Sequence, residues 1–351
     1  MKKILVTGGC GYIGAHTILD LIENKFQPVC VDNNSRSTES LLEGIRKITG
    51  VTVKNYKVDL CNFDETFAVF QENSDLEGII HFAAYKAVGE SVEKPLMYFE
   101  NNLTSLINIL KCAAEFNVRN FIFSSSCTVY GTPDRIPVTE ESPLKPPESP
   151  YGATKQMGEE IVRQAAAAHG ITSIMLRYFN PVGAHPSGLI GELPVGKPQN
   201  LVPAITQTAI GKLPQLVVHG NDYDTRDGSN IRDYIHVSDI AHAHILALQY
   251  VMENRNLQRC EVFNLGTGNG ITVFEVIRSF EKVTGRKLNY VIGPRRPGDV
   301  VAIYANNTLA REVLKWVPQY SLDEMMLTAW KWEVKLKEEE SMYNNPNYQM
   351  N

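Results

Sequence analysis

Residues 3–16 read "KILVTGGCGYIGAH". An apolar, β-branched run ends in a glycine turn, and the turn opens into the first residues of an amphipathic segment. The glycines fall at 8, 11 and 14, a GxxGxxG spacing. Gly8 allows a tight turn, Gly11 lets the backbone approach a pyrophosphate, and Gly14 lets the helix pack close to the sheet. The helix start then offers unpaired N–H groups and the positive end of its dipole to phosphate. The plainer alternative is an ordinary βα turn. Its position directly after the first strand favours a dinucleotide site.

Outward from this turn, short β-branched runs alternate with longer amphipathic stretches. Strands are expected at 3–7, 28–32, 52–58, 78–83, 120–125 and 173–178, and helices at 12–24, 38–49, 62–72, 95–117 and 151–169. Strands this apolar are covered on both faces, as in a parallel sheet. The alternation predicts an α/β fold, a Rossmann-type doubly wound parallel sheet with ligands along the edge formed by the strand C-termini. After residue 180 a Pro- and Gly-rich loop (179–200) leads into a mixed region, with helices expected at 201–211, 238–252 and 273–284. This divides the chain into an NAD-binding domain, 1–180, and a smaller mixed α/β substrate domain, 181–351, some of whose elements return to the first. The tail 335–351 is charged and Asn-rich, and is expected at the surface with a frayed end.

The 351 residues carry a formal charge of −5, from 34 basic and 39 acidic side chains. No basic patch calls for nucleic acid or an anionic membrane. No stretch approaches the ~20 apolar residues of a membrane span. Six cysteines are scattered without zinc or disulfide spacing, which implies reduced thiols and a cytoplasmic setting.

Asp32 ends the second strand, 18 residues after Gly14. A carboxylate there accepts from the adenosine ribose hydroxyls and repels a 2′-phosphate, which favours NAD over NADP. Arg36 is close enough to accommodate that phosphate and blurs the choice. Asp59, ending the third strand, is placed to meet the adenine edge. Ala83 and Ala84 leave room for a cofactor after the fourth.

Tyr151 and Lys155, in "SPYGATK", share one helical face. Free tyrosine is only about 0.1% phenolate at pH 7, and lowering its pKa by three units takes ~4 kcal/mol. A nearby ammonium and the cationic nicotinamide of NAD+ both act in that direction. That makes Tyr151 a candidate general base, with Lys155 tuning it. Alone, such a pair is more often an exposed Tyr and Lys. Ser126 ends the fifth strand, 25 residues before Tyr151, and can bond the same substrate oxygen.

Together these motifs resemble the extended short-chain dehydrogenase/reductase family, most closely its UDP-galactose 4-epimerases. The resemblance runs to about residue 334 and rests on "TGGCGYIGAH", "HFAAYKAVGESVEKPL", "FIFSSSCTVYG", "SPYGATK", "LRYFNPVGAHPSG", "IRDYIHVSD", "FNLGTG" and "RRPGD". It implies Ser126, Tyr151 and Lys155 as the catalytic set. It implies NAD-binding positions at Gly8, Gly11, Tyr12, Ile13, Gly14, Asp32, Asn33, Asp59, Leu60, Phe82, Ala83, Lys86, Asn101 and Tyr178, with Tyr151 and Lys155. It implies a UDP-sugar site at Asn180, Asn200, Leu201, His219, Arg232, Tyr234, Arg296, Asp299 and Ile303, with Ser126 and Tyr151. It further implies reversible NAD-dependent epimerisation at C4 in galactose metabolism, and a homodimer.

Arg232 and Arg296 suit a diphosphate clamp. Dehydratases and decarboxylases of this fold usually carry acidic residues beside the catalytic Ser or Thr; here Cys127 and Thr128 follow Ser126. The alternatives are C4 epimerisation of another UDP-sugar and an NAD-binding sensor without catalysis. His219 stands where an aromatic often stacks on uracil, so its charge could make binding pH-sensitive. Ile303 stands beside the expected sugar pocket, and its size leans toward UDP-galactose and UDP-glucose. His242 and His244, two apart on a helix, read as packing and not as metal ligands.

Overall fold

The computed structural model describes residues 1–296 and 299–343. Two residues of "RRPGD", Pro297 and Gly298, and the end of the tail, 344–351, lie outside the described residues.

The first half runs β1 (Lys3–Thr7), α1 (Tyr12–Glu23), β2 (Gln27–Val31), α2 (Ser40–Thr49), β3 (Asn55–Tyr56), α3 (Phe63–Glu72), β4 (Leu76–His81), α4 (Val88–Glu93), α5 (Pro95–Glu115) and β5 (Asn120–Ser126). A 3-10 turn (Cys127–Tyr130) precedes α6 (Pro150–His169), β6 (Thr172–Tyr178) and β7 (Asn180–Val182). Then come α7 (Leu201–Ala209), β8 (Leu216–His219), β9 (Ile231–Arg232), β10 (Tyr234–His236), α8 (Val237–Met252) and β11 (Cys260–Leu265). The described chain closes with β12 (Ile271–Thr272), α9 (Val273–Thr284), β13 (Tyr290–Gly293), α10 (Thr308–Val313) and α11 (Leu322–Tyr343).

Seven strands form the central sheet in the order β11-β6-β5-β4-β1-β2-β3, and every pairing is parallel. Strand periodicity explains its two apolar faces. Ile4, Val6, Ile80, Ile122, Ile174 and Leu176 enter one core with α1, α2 and α8. The intervening Leu5, Ile79, Phe121, Phe123 and Met175 enter a second core with α3, α5 and α6. A third core joins α7, α9 and α11 to β8.

Strand order reverses between β1 and β4, so the crevice for ligand opens where the glycine turn meets the end of β4. Differences from the sequence expectation have local causes. The strand expected at 52–58 keeps only Asn55–Tyr56, because only Cys30 and Val31 of β2 face it. The seventh strand, β11, returns from the second half of the chain to pair with β6. The tail residues 335–343 continue α11.

Candidate active site

The glycine turn is built for close approach. Gly8 has φ +67°, and a Cβ there would lie 2.9 Å from the backbone nitrogen of Ala83. A Cβ on Gly14 would lie 2.3 Å from the carbonyl of Gly8. Either clash would push the turn off the sheet. Helix α1 starts from Gly11 with no side-chain cap, so its first-turn N–H groups have no side-chain capping partner among the described residues. Asp32 is held just beyond. Its carboxylate accepts from the backbone N–H of Cys10 (3.1 Å) and Asn34 (2.9 Å) and from the Ser37 hydroxyl (2.8 Å). Open helix-start donors beside a fixed carboxylate fit a dinucleotide. Arg36 is bound elsewhere: it makes two bonds to Glu90, of 2.9 and 3.0 Å, and its guanidinium lies over the Tyr85 ring.

The other residues expected to meet the cofactor are held by local contacts. The Tyr12 hydroxyl donates to the Gly183 carbonyl, and Ile13 packs against the α1 core. Asn33 accepts from the Ser35 N–H, Asp59 accepts from the Cys61 N–H, and Leu60 is buried. The N–H of Ala83 reaches the Thr7 hydroxyl, and the Phe82 ring lies tilted against His244. Lys86 pairs with Glu192 at 3.2 Å, and Asn101 donates to Asn102. Tyr178 donates or accepts across 2.7 Å with His244.

Helix α6 carries Tyr151 and Lys155. Ser149 caps it by accepting from the Gly152 N–H, and Pro150 occupies its first turn. Ser126 ends β5, register partner of Tyr178 on β6, and its hydroxyl accepts from the Thr128 N–H. The Lys155 ammonium donates to the Ser124 carbonyl at 2.6 Å and lies 5.8 Å from the Tyr151 ring centre. Without the cofactor's positive charge, the chain's own groups leave the Tyr151 pKa raised. Burial pushes it up to about 12, opposed only in part by the Ser126 hydroxyl. Burial also brings Lys155 down to about 8, with the Glu159 carboxylate opposing.

Two residues that the sequence reading missed stand behind this set. Glu159, two turns beyond Tyr151, takes two bonds from Arg177 of β6, of 2.8 and 2.7 Å, and one of 2.6 Å from Ser125. Its place on the Tyr151–Lys155 face of α6 was the available signal.

On the second half, Asn180 donates its N–H to Asp233, and Asn200 donates to Glu192 at 2.8 Å. Glu192 thus links Lys86 to Asn200, and nothing local in the sequence marks it. Leu201 starts α7. Arg232 bonds the carbonyls of Ile231 and Val300 and the carboxylate of Asp299 (3.2 Å). Tyr234 is buried, and Arg296 is exposed. His219 lies on β8 with Nδ1 3.2 Å from the Pro294 carbonyl. Burial and the Arg296 cation hold it below its ordinary pKa, so it is neutral at pH 7. Ile303 is buried among Val129, Tyr130, Val138, Phe179 and Ala305, and Cys127 packs on that cluster.

A family model described as GDP-mannose 4,6 dehydratase matches residues 5–328. The UDP-glucose 4-epimerase of Bacillus subtilis (strain 168) is 46% identical over 331 residues, 94% of this chain and 96% of that one. The chain belongs to the UDP-glucose 4-epimerase family. Among solved structures of that family, the Bifidobacterium longum enzyme in complex with NAD+ and UDP superposes with TM-score 0.91 at 44% identity, covering 95% of this chain and 98% of that one. The Stenotrophomonas maltophila epimerase, with bound NAD and formylated UDP-arabinopyranose, gives 0.92 at 42%, covering 97% and 100%. The seven-stranded sheet and the glycine turn described above are thus set in an epimerase-family fold.

Proposed function

We propose that the chain interconverts UDP-galactose and UDP-glucose by reversible oxidation at C4. One observation carries the reading: Ser126, Tyr151 and Lys155 come together from β5 and α6 on the edge that also carries the glycine turn and Asp32. Asp32, with Arg36 tied to Glu90, supports NAD over NADP. NAD, held at the glycine turn and Asp32, would supply the hydride acceptor and donor for the sugar C4. The chain's own residues handle the proton and the position. The Tyr151 oxygen takes the proton from O4 and gives it back, and the Ser126 hydroxyl bonds the same oxygen. Lys155, as a cation, favours the phenolate. Arg232 and Arg296 hold the UDP diphosphate while the 4-keto sugar turns over, and Asp299 takes the ribose hydroxyls. His219 stacks on uracil as a neutral ring.

Cys127 and Thr128, following Ser126, supply no carboxylate for elimination, which supports epimerisation over dehydration. Residues 1–180 form the cofactor half of this reading and 181–351 the substrate half, with β11 and α8 returning to the sheet. The exposed apolar residues Val92 and Leu96 near and on α5, Ile107 on α5 and Met157 on α6 support a homodimer through these helices. Six free thiols support a cytoplasmic setting.

The test is purified protein with UDP-galactose and no added NAD, followed by proton NMR. Conversion to a UDP-galactose/UDP-glucose mixture is expected. Silence with NAD added overturns this substrate pair. A pentose substrate is the second reading, since the similar Stenotrophomonas structure holds a UDP-pentose.

A further inference from the structure

His242 and His244 both read from sequence as packing, but the structure separates them. His242 is exposed and meets the Asp20 carboxylate at 3.0 Å. His244 is fully buried behind the cofactor edge. Its Nδ1 lies 2.8 Å from the Ile240 carbonyl. A carbonyl oxygen only accepts, so Nδ1 carries the proton. Burial brings the imidazole down to about 4, so it is neutral at pH 7. Its Nε2 is then a bare acceptor, 2.7 Å from the Tyr178 hydroxyl. Tyr178 must therefore donate its single proton to His244. The phenol oxygen is then only an acceptor: it meets the Ser124 hydroxyl and keeps a lone pair for a further donor.

The neighbours say where that matters. Tyr178 ends β6 beside Ser126 of β5. Phe82, whose ring centre is 4.7 Å from that of His244, follows β4 and precedes Ala83 at the Gly8 turn. His244 thus supports, from behind the sheet edge, two residues assigned to the cofactor.

We propose that His244 is a positioning residue: by taking the Tyr178 proton it fixes that phenol oxygen as an acceptor for an N–H donor of the bound cofactor. The proposal rests on the reading that this chain holds NAD. A residue that merely fills space there would not care which way the proton points.

The first readout is the tautomer. In 15N-labelled full-length protein, His244, assigned by its loss in H244Q, is expected to show a protonated Nδ1 and a bare Nε2 from pH 6 to 8. The opposite tautomer overturns the proposal, and this measurement needs no folded H244F. The second readout is the rate at which purified protein releases bound NAD. H244F and Y178F are each expected to speed release about tenfold, the scale of one lost hydrogen bond. H244Q, whose amide oxygen can accept, is expected within about twofold of wild type. The double variant H244F/Y178F is expected to release no faster than Y178F, because His244 acts through Tyr178. Multiplying effects, or wild-type release from H244F, overturn it. A wild-type chain that holds no NAD overturns this inference and the cofactor reading together; a chain that holds NAD and shows multiplying effects overturns this one alone.

Discussion

Lys155 reaches past the Tyr151 ring to the carbonyl of Ser124, and both side chains are held by burial away from their charged forms. The phenol sits at about 12 and the ammonium at about 8. A base with so high a pKa depends on cations beside it, so each member of the pair has a separable effect. Tyr151→Phe removes the proton acceptor and leaves the ring. Turnover is expected to drop about 10²–10⁴-fold, with bound NAD and the thermal midpoint unchanged; wild-type turnover would discard the base assignment. Lys155→Met removes the cation. Because the lysine pKa is lowered to about 8, wild-type protein loses that charge itself as pH rises through 8. The ratio of wild-type to K155M turnover should therefore be largest near pH 7 and shrink above pH 8. Parallel pH–rate profiles check this, and a constant ratio from pH 7 to 9.5 would show that the charge is not what Lys155 contributes.

Helix α6 brings more than two residues to the sheet. Its Glu159 is fully buried, bound by Arg177 of β6 and Ser125 of β5, and Arg177 also bonds the Tyr130 hydroxyl. This pair fixes the register of α6 against the two strands that present Ser126 and Tyr178. Removing one partner of a buried pair costs about 3–5 kcal/mol, because the other charge is left unpaired. Glu159→Gln is expected to lower stability by that amount in urea unfolding. E159L/R177M should recover part of it, and an E159Q protein within ~1 kcal/mol of wild type would show that the pair does not anchor the helix. The same elements show what a sequence reveals. Strands β1, β4, β5 and β6 were legible because their apolar residues enter cores on both faces. The placement of Ser126, Tyr151 and Lys155 was legible because they sit at strand and helix ends, where short-range spacing fixes their direction. Strand β11 was missed because Glu261 and Asn264 interrupt "CEVFNL"; the structure satisfies Asn264 by burying it against the Tyr130 hydroxyl. Helix α11 was missed although its start carries a capping signature, with Ser321 and Glu324 bonding each other's N–H. The Arg36–Glu90, Lys86–Glu192 and Glu159–Arg177 pairs join residues distant in sequence, and no local pattern encodes them.

Across the whole molecule, four histidines are buried on different elements. His16 lies on α1, His81 at the end of β4, His236 before α8 and His244 on α8. Burial brings the first three down to about 3 and His244 to about 4. His16 has no partner at Nε2, so charging it has nothing to offset the loss of water. The sign follows from linkage. All four are neutral in the folded chain and titrate near 6.5 once unfolded, so below pH 6.5 the unfolded state binds more protons. Their contribution is complete above pH 6.5 and is lost as pH falls toward 3 to 4, by about 1.4 kcal/mol per pH unit for each residue. Asp239 pulls the other way. Burial raises it to about 6, so the fold takes up its proton before the unfolded chain does. For these five groups alone the balance is a loss on the order of 4 kcal/mol by pH 5.5; the raised Glu23, Glu140, Asp233 and His242 reduce it, and the lowered His185 and His219 add to it. Urea midpoints should be flat from pH 8 to 7 and fall steeply between pH 6.5 and 5.5, and H244Q should have the shallower slope. Because three of these residues flank α1 and α8, bound NAD should be lost in the same pH interval as stability. A midpoint unchanged at pH 5.5 would mean that the histidines reach water in the folded chain, and that the layer behind the glycine turn is looser than its packing shows.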